Sequence, residues 1–339
     1  MGPEPISFDA TVRIGSLNED KEYPLKKIVT SGEILVEIMA EKLDQSFLTA
    51  GPLVGPFPSG APAIFIGQAA ALGQPAGLVG CVGNDDFGAL NIRRLQDLGA
   101  DVSAITTHPE LPTGTAFVTY RSDASRHFVF NIKHSAAGAL EFGAAARALV
   151  EEADHVHLMG SSLFSPRATD VALQAIETVK RRGGTVSFDP NIRREILSLP
   201  GMREALMKVF ELADIFLPSG DELFLFSEKK SEKDAIQSIL ANGPSAIVLK
   251  KGADGAVYFD RDRSVSSAAF RVNEIDPTGA GDCFGAAFVS MWLRGAEPEH
   301  AMRVATAAGA LAVTRKGPME GIRSMAEIEE FIASQEQRR

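Results

Sequence analysis

Asn273–Trp292 reads NEIDPTGAGDCFGAAFVSMW, and the fold is legible outward from it. Thr278-Gly279-Ala280-Gly281-Asp282 sits just before an almost wholly apolar helical run. Glycines at a helix start let backbone N–H groups approach a ligand, and the helix dipole favours negative charge there. The segment is built as an anion cradle, with Asp282 in the first helical turn beside it. A carboxylate next to an anion site is a poor ligand but a good base. It can take a proton from a hydroxyl while the cradle stabilises a transferring phosphoryl group. On spacing alone, a glycine-rich turn with Asp282 as an ordinary N-terminal cap fits as well.

Upstream, strand-like and helix-like runs alternate. Gly77–Val82, His155–Met159, Thr185–Phe188, Ile215–Leu217 and Ala246–Leu249 read as strands. Gly60–Leu72, Phe87–Leu98, Ala168–Val179, Arg203–Leu212 and Asp234–Leu240 read as helices, and two or three more finish the chain. Such alternation predicts βαβ units and a parallel sheet. Ile28–Met39 reads as one β-rich start. Thr115–Tyr120 and His127–Ile132 alternate with period two around RSDASR, a hairpin signal. With Glu33–Ile38 they predict a small antiparallel sheet, placed as a lid over the carboxyl edge of the parallel one.

Composition narrows the function. The 339 residues carry 34 basic and 44 acidic side chains, a net charge of −10. That balance argues against nucleic acid as a partner but leaves room for a small anion. Two cysteines, Cys81 and Cys283, cannot make a disulfide framework, so a reducing cytoplasm is expected. Apolar runs such as Ala286–Leu293 are far shorter than the ~20 residues a membrane span needs. Residues 1–26 are polar and acidic, without signal-peptide character, and are expected to form a loose tail. A dinucleotide-binding dehydrogenase is a rival, because GAGDCFG loosely mimics G-x-G-x-x-G. That fingerprint should open a βαβ unit, and the stretch that follows reads as helices.

Asp276-Pro-Thr-Gly-Ala-Gly-Asp282 resembles the C-terminal signature of the PfkB, or ribokinase-like, sugar kinases. Further segments occur in family order: Gly55–Gly73, Gly77–Gly88, Phe188–Arg193 (FDPNIR), Leu217–Leu223 and Ile247–Gly255. The resemblance implies an α/β, three-layer fold with a mostly parallel central sheet flanked by helices and a small β-sheet lid. The kinase domain would span residues 27–330, with lid strands at approximately 35–58 and 113–133 and a tail at 331–339. It implies ATP and Mg²⁺, with a monovalent cation such as K⁺ in many members. The exposed strands of the hairpin separately predict a homodimer formed through the lids, since open edges seek partners. Carried over by position, Asp282 is the base, and the Gly279, Ala280 and Gly281 amides form the anion hole. Glu37, Gly60, Lys133 and Arg193 face the sugar. Lys250, Gly252, Gly255 and Thr306 flank the nucleotide. Glu222 lies on the Mg²⁺ side, directly or through water, and Asp276 with Lys316–Gly317 surrounds the monovalent cation.

This chain departs from the pattern at several places. Ser59-Gly60 replaces a Gly-Gly pair, Ile64 an asparagine, Glu37 an aspartate and Lys250 a threonine. The family's Asn-x-x-Glu is Ser219-Gly-Asp-Glu222, and a late asparagine is Thr306. The nearest subfamilies phosphorylate fructose, tagatose or 2-keto-3-deoxygluconate. The Tyr-x-Arg that holds the carboxylate of the sugar acid is missing at Phe130–Lys133, and a buried carboxylate without a bidentate partner is costly. That favours a primary hydroxyl of a neutral ketohexose, with the sugar acid as alternative through Lys133. The altered sugar positions also admit a catalytically weak sugar sensor. His155 and His157 share one face of a strand, without partners at metal-ligand spacing. Cys283, beside Asp282, is expected to pack as a small apolar residue.

Overall fold

The computed structural model describes residues 25–337 except 124, 193–196 and 198–200, so Arg193 and residues 1–24 lie outside the described residues. Its strands are β1 (Ile28–Ser31), β2 (Leu35–Ala40), β3 (Leu53–Ser59), β4 (Ala76–Gly83), β5 (Ile105–His108), β6 (Gly114–Tyr120) and β7 (Arg126–Asn131). They continue with β8 (His155–Met159), β9 (Thr185–Asp189), β10 (Ile215–Phe216), β11 (Ala246–Lys250), β12 (Ala256–Phe259) and β13 (Ser264–Ser267). Nine of them form one sheet in the order β13-β12-β11-β10-β9-β8-β1-β4-β5. From β11 to β5 every pairing is parallel, and only the β11–β12 and β12–β13 pairings are antiparallel. All of β4 and β8 is buried, as strands covered on both faces must be.

The helices are α1 (Ala61–Ala71), α2 (Asp86–Asp97), α3 (Ala144–Glu151), α4 (Pro166–Arg181), α5 (Met202–Leu212), α6 (Glu232–Asn242), α7 (Ala280–Leu293), α8 (Pro298–Ala312) and α9 (Met325–Glu336). One apolar core joins α1, α7 and α8 to one face of the sheet, and a second joins α3 to α6 to the other. The result is the expected three-layer α/β sandwich. Local chemistry sets the helix starts: the Asp85 carboxylate accepts from Gly88 N at 2.8 Å to cap α2, and the Ser165 hydroxyl accepts from Ala168 N at 3.1 Å to cap α4. Helix α9 runs into the stretch expected as a tail, and its Phe331 ring lies 5.1 Å from Phe270.

The expected single β-rich start is two strands in different sheets. The chain turns at Gly32, where φ is +155° and a Cβ would meet the Ser162 side chain. Strands β3-β2-β6-β7 make the small sheet. The expectation that it is antiparallel is corrected at its centre, because β2 and β6 pair in parallel. Between them the chain runs back along β3, antiparallel to β2, then passes through α1, β4, α2 and β5 and re-enters the small sheet opposite to β3 and alongside β2. Such a crossover, unlike a hairpin, yields parallel neighbours.

Candidate active site

The carboxyl ends of the parallel strands open into a cavity of about 490 Å³. Glu33 lies just beyond β1, Ser161 beyond β8, Asp189 at the end of β9, Ser219 beyond β10 and Lys250 at the end of β11, and all line it. Open α/β sheets bind ligands at this edge because loops, not ladder hydrogen bonds, occupy it. The small sheet closes the other side with Glu37, Ser59, Ala116, Arg126 and Phe130. Residues 126, 128 and 130 alternate onto one face of β7, the Phe128 and Phe130 rings 5.1 Å apart and the Arg126 guanidinium 5.6 Å from the Phe128 ring.

Helix α7 points its N-terminus into this cavity. Gly279 is its N-cap with φ +83°, a conformation glycine adopts without strain. A Cβ there would stand 2.5 Å from the Pro318 carbonyl oxygen, whereas at Gly281 the nearest atom would be Lys250 Nζ at 3.8 Å. The backbone is therefore bare where an anion would approach. Asp282, the third helical residue, is 8% exposed and lines the same cavity.

Opposite the helix end sits a cluster the sequence reading divided among different roles. Lys250 Nζ is ion-paired with Asp189, which is 2% exposed. Burial opposes the Lys250 charge, but Asp189 and Glu222, with Asp282 behind them, outweigh it and hold the ammonium above its ordinary range. The Glu222 carboxyl is raised by its own burial and by the Asp189 charge. Its oxygens accept from Ile192 N and Ser219 N, each at 2.7 Å, which fixes it across the loop after β9 and the turn Gly220–Phe226. Asn191 holds a positive φ of 40°, and its N–H donates to Asp189 Oδ1 at 3.1 Å. Such strained residues persist where surroundings over-determine them. Among the described residues no group of three or more metal-type side chains forms a cage. The carboxylates of Asp189 and Glu222 line the cavity, and Mg²⁺ binds through one or two carboxylates and substrate phosphates.

Of the residues proposed from sequence, Gly279, Gly281, Asp282, Glu37, Gly60, Lys133, Glu222 and Lys250 line one cavity. Ala280 opens α7 between two of them. Gly252, Gly255 and Thr306 do not line it. A Cβ on Gly255 would collide with the Ser267 carbonyl, and Ser267 Oγ lies 3.2 Å from Thr306 Oγ1; Ser267 itself lines a separate groove of about 210 Å³ with Phe270, Glu299 and Arg303. Asp276 is 1% exposed and sits behind the anion hole. Sequence reasoning missed Glu33, Asp189, Asn191 and Arg126. Asp189 and Asn191 lay inside the quoted FDPNIR, and Arg126 closes the predicted hairpin, but nothing in spacing aims them at α7. Glu33 accepts from Ser162 Oγ at 2.7 Å and Ser161 Oγ at 3.4 Å.

His155 and His157 face the core. The His155 nitrogens lie 2.7 Å from Thr185 Oγ1 and Ser187 Oγ, and His157 stacks on Phe65 at 3.7 Å between centroids. Burial drives His155 down to about 3, so both rings are neutral packing elements. Cys283 is fully buried, and burial pushes its thiol well above the ordinary value, as a packing residue requires.

Residues 26–325 match the family described as pfkB family carbohydrate kinase. The chain belongs to that family. Among solved structures, a putative ribokinase II from E. coli in complex with ATP and Mg²⁺ is 47% identical, with a TM-score of 0.87, covering 91% of this chain and all of that one. A fructokinase double mutant from Vibrio cholerae O395, solved with fructose, ADP and potassium ion, is 26% identical with a TM-score of 0.78, over 91% of this chain and 98% of that one. The 2-dehydro-3-deoxygluconokinase of Thermoproteus tenax is 31% identical over 90% of this chain and 94% of its own. This chain is a carbohydrate kinase of the PfkB family, and none of its described helices is long and apolar enough to cross a membrane.

Proposed function

We propose that this PfkB kinase transfers the γ-phosphoryl group of ATP to a primary hydroxyl of a neutral ketohexose of the tagatose or fructose type. One observation carries the reading: Asp282 and the bare N-terminus of α7 open into the same cavity as the acceptors Glu33 and Glu37. Carboxylates accept hydrogen bonds from sugar hydroxyls, whereas they repel a substrate carboxylate.

In this reading Asp282 takes the hydroxyl proton as the oxygen attacks in line. The Gly279, Ala280 and Gly281 amides hold the charge that develops on the phosphoryl oxygens. Lys250 keeps its ammonium charged and offsets part of the carboxylate cluster. Glu222 would hold Mg²⁺, directly or through water, and that ion supplies charge neutralisation on the phosphates. Gly252, Gly255 and Thr306 border the nucleotide's outer part. The lid sheet excludes water, which would otherwise accept the phosphoryl group.

A second reading, phosphorylation of 2-keto-3-deoxygluconate, is favoured by the two cations Arg126 and Lys133 on the cavity wall. ADP release measured with fructose, tagatose and the sugar acid decides between them. We expect ketohexose turnover to exceed that of the acid, and Lys133→Ala to leave it within a few-fold. A dominant acid activity that Lys133→Ala removes would replace the first reading by the second.

The edges of the lid expose Leu53 and Val129, 47% and 48% accessible, and open sheet edges seek partners. They support a homodimer formed through the lids. Light scattering is expected to give twice the chain mass, and a monomer at working concentration would dismiss it. The free, buried Cys81 and Cys283 suit a cytoplasmic enzyme.

A further inference from the structure

The lid and the anion-hole loop are tied at one buried carboxylate. Tyr120, the last residue of β6, donates its phenol to Asp276 Oδ1 at 2.8 Å and lies 3.4 Å from Thr278 Oγ1. The same Oδ1 accepts from Thr278 N at 3.0 Å, and Oδ2 accepts from Gly317 N at 2.9 Å. Directly opposite Tyr120 in the hairpin register is Arg126, whose Nη1 donates to Thr278 Oγ1 at 3.2 Å.

The resemblance to PfkB kinases implies a monovalent cation around Asp276 and residues 316–317. The residues present do not fit one. A carboxylate offers about four lone-pair sites. Three are filled here by a phenol and two amides, and both sites on Oδ1 are taken. Gly317 turns its N–H, the positive end of its peptide, toward the carboxylate. Arg126 already brings a fixed positive charge to the adjoining Thr278. A buried carboxylate with three donors needs no ion to offset its desolvation.

We propose that the Tyr120 phenol takes the place of a monovalent cation beside Asp276, so that the lid rather than K⁺ sets the anion-hole loop and the enzyme is not K⁺-activated. Tyr120 is thus a positioning residue, acting through Asp276 on the loop that carries Gly279. The turnover arm of the test rests on the kinase reading above, and the binding arm does not.

The full chain would be compared in KCl and in tetramethylammonium chloride at equal ionic strength. Three quantities are read: thermal midpoint, ADP affinity by calorimetry, and kcat on whichever sugar is phosphorylated. An ion coupled to the site would change affinity by about 5-fold or more. The wild type is expected to show no change of that size and no shift of midpoint. Tyr120→Phe, which keeps the ring and removes the donor, is expected to become K⁺-responsive in midpoint and ADP affinity. A wild type whose midpoint or ADP affinity rises with K⁺ overturns the proposal, as does a Tyr120→Phe protein as indifferent to K⁺ as the wild type. Absence of turnover in both salts would count against the kinase reading, and the midpoint and affinity would still decide this one.

Discussion

Asp282→Asn is expected to lower kcat by roughly 10²–10⁴-fold while the protein stays folded. Asparagine keeps the size of the side chain and its place in the first turn of α7 but cannot take a proton. The anion hole, made of backbone, survives the change, so residual activity from positioning should remain. A coupled assay for ADP, with circular dichroism on the same sample, reads both halves of the expectation. KM for either substrate should move far less than kcat, since a base acts on the transition state rather than on bound ground states. Near-normal turnover would remove Asp282 from its role and, with it, the mechanism.

The second large effect is on stability. Lys250→Met is expected to cost about 3–5 kcal/mol in urea unfolding, the scale for removing one partner of a buried ion pair. Asp189 is nearly inaccessible, and the Glu222 carboxyl is already raised by burial and by Asp189 with the ammonium in place. Without Lys250 those negative charges face one another uncompensated. The sign of the pH dependence follows. A carboxyl whose folded pKa lies above its unfolded value binds a proton more readily when folded, so lowering the pH through that raised value recovers stability. The Lys250→Met deficit should therefore shrink as the solution is acidified toward the Glu222 range. Adding Asp189→Asn to Lys250→Met should restore part of the loss, since residues in one network couple by about 0.5–3 kcal/mol. A single Lys250→Met protein as stable as the wild type would mean that the cluster is hydrated rather than sealed.

Lys250 also shows where reading the chain in one dimension reaches its limit. The position was legible as the end of a strand next to Gly252, and the resemblance put it beside the nucleotide. The folded chain puts its ammonium against Asp189, 61 residues earlier in the sequence, and under Gly281. Gly252, two residues further, is exposed and does not line that cavity. Asp276 was legible as part of the signature and was expected near an ion. Its partner Tyr120 lies 156 residues away on the lid, and no local pattern announces that pairing. The small sheet was legible as a hairpin plus a third strand, but the parallel pairing of β2 with β6 depends on where the intervening chain crosses.

What the sequence determined by itself is everything governed by short-range rules. Periodicity placed the alternating strands and helices and hence the layered sheet. Glycines before an apolar run placed a bare helix start, with a carboxylate in its first turn, because backbone freedom and the helix dipole act within a few residues. Tertiary structure alone decided which charges share a cavity, which carboxylate is shielded by the lid and which cation neutralises the cluster. Those outcomes depend on side chains brought together across dozens of residues, where distance and exclusion of water set the electrostatic energy and chain order carries no information about either.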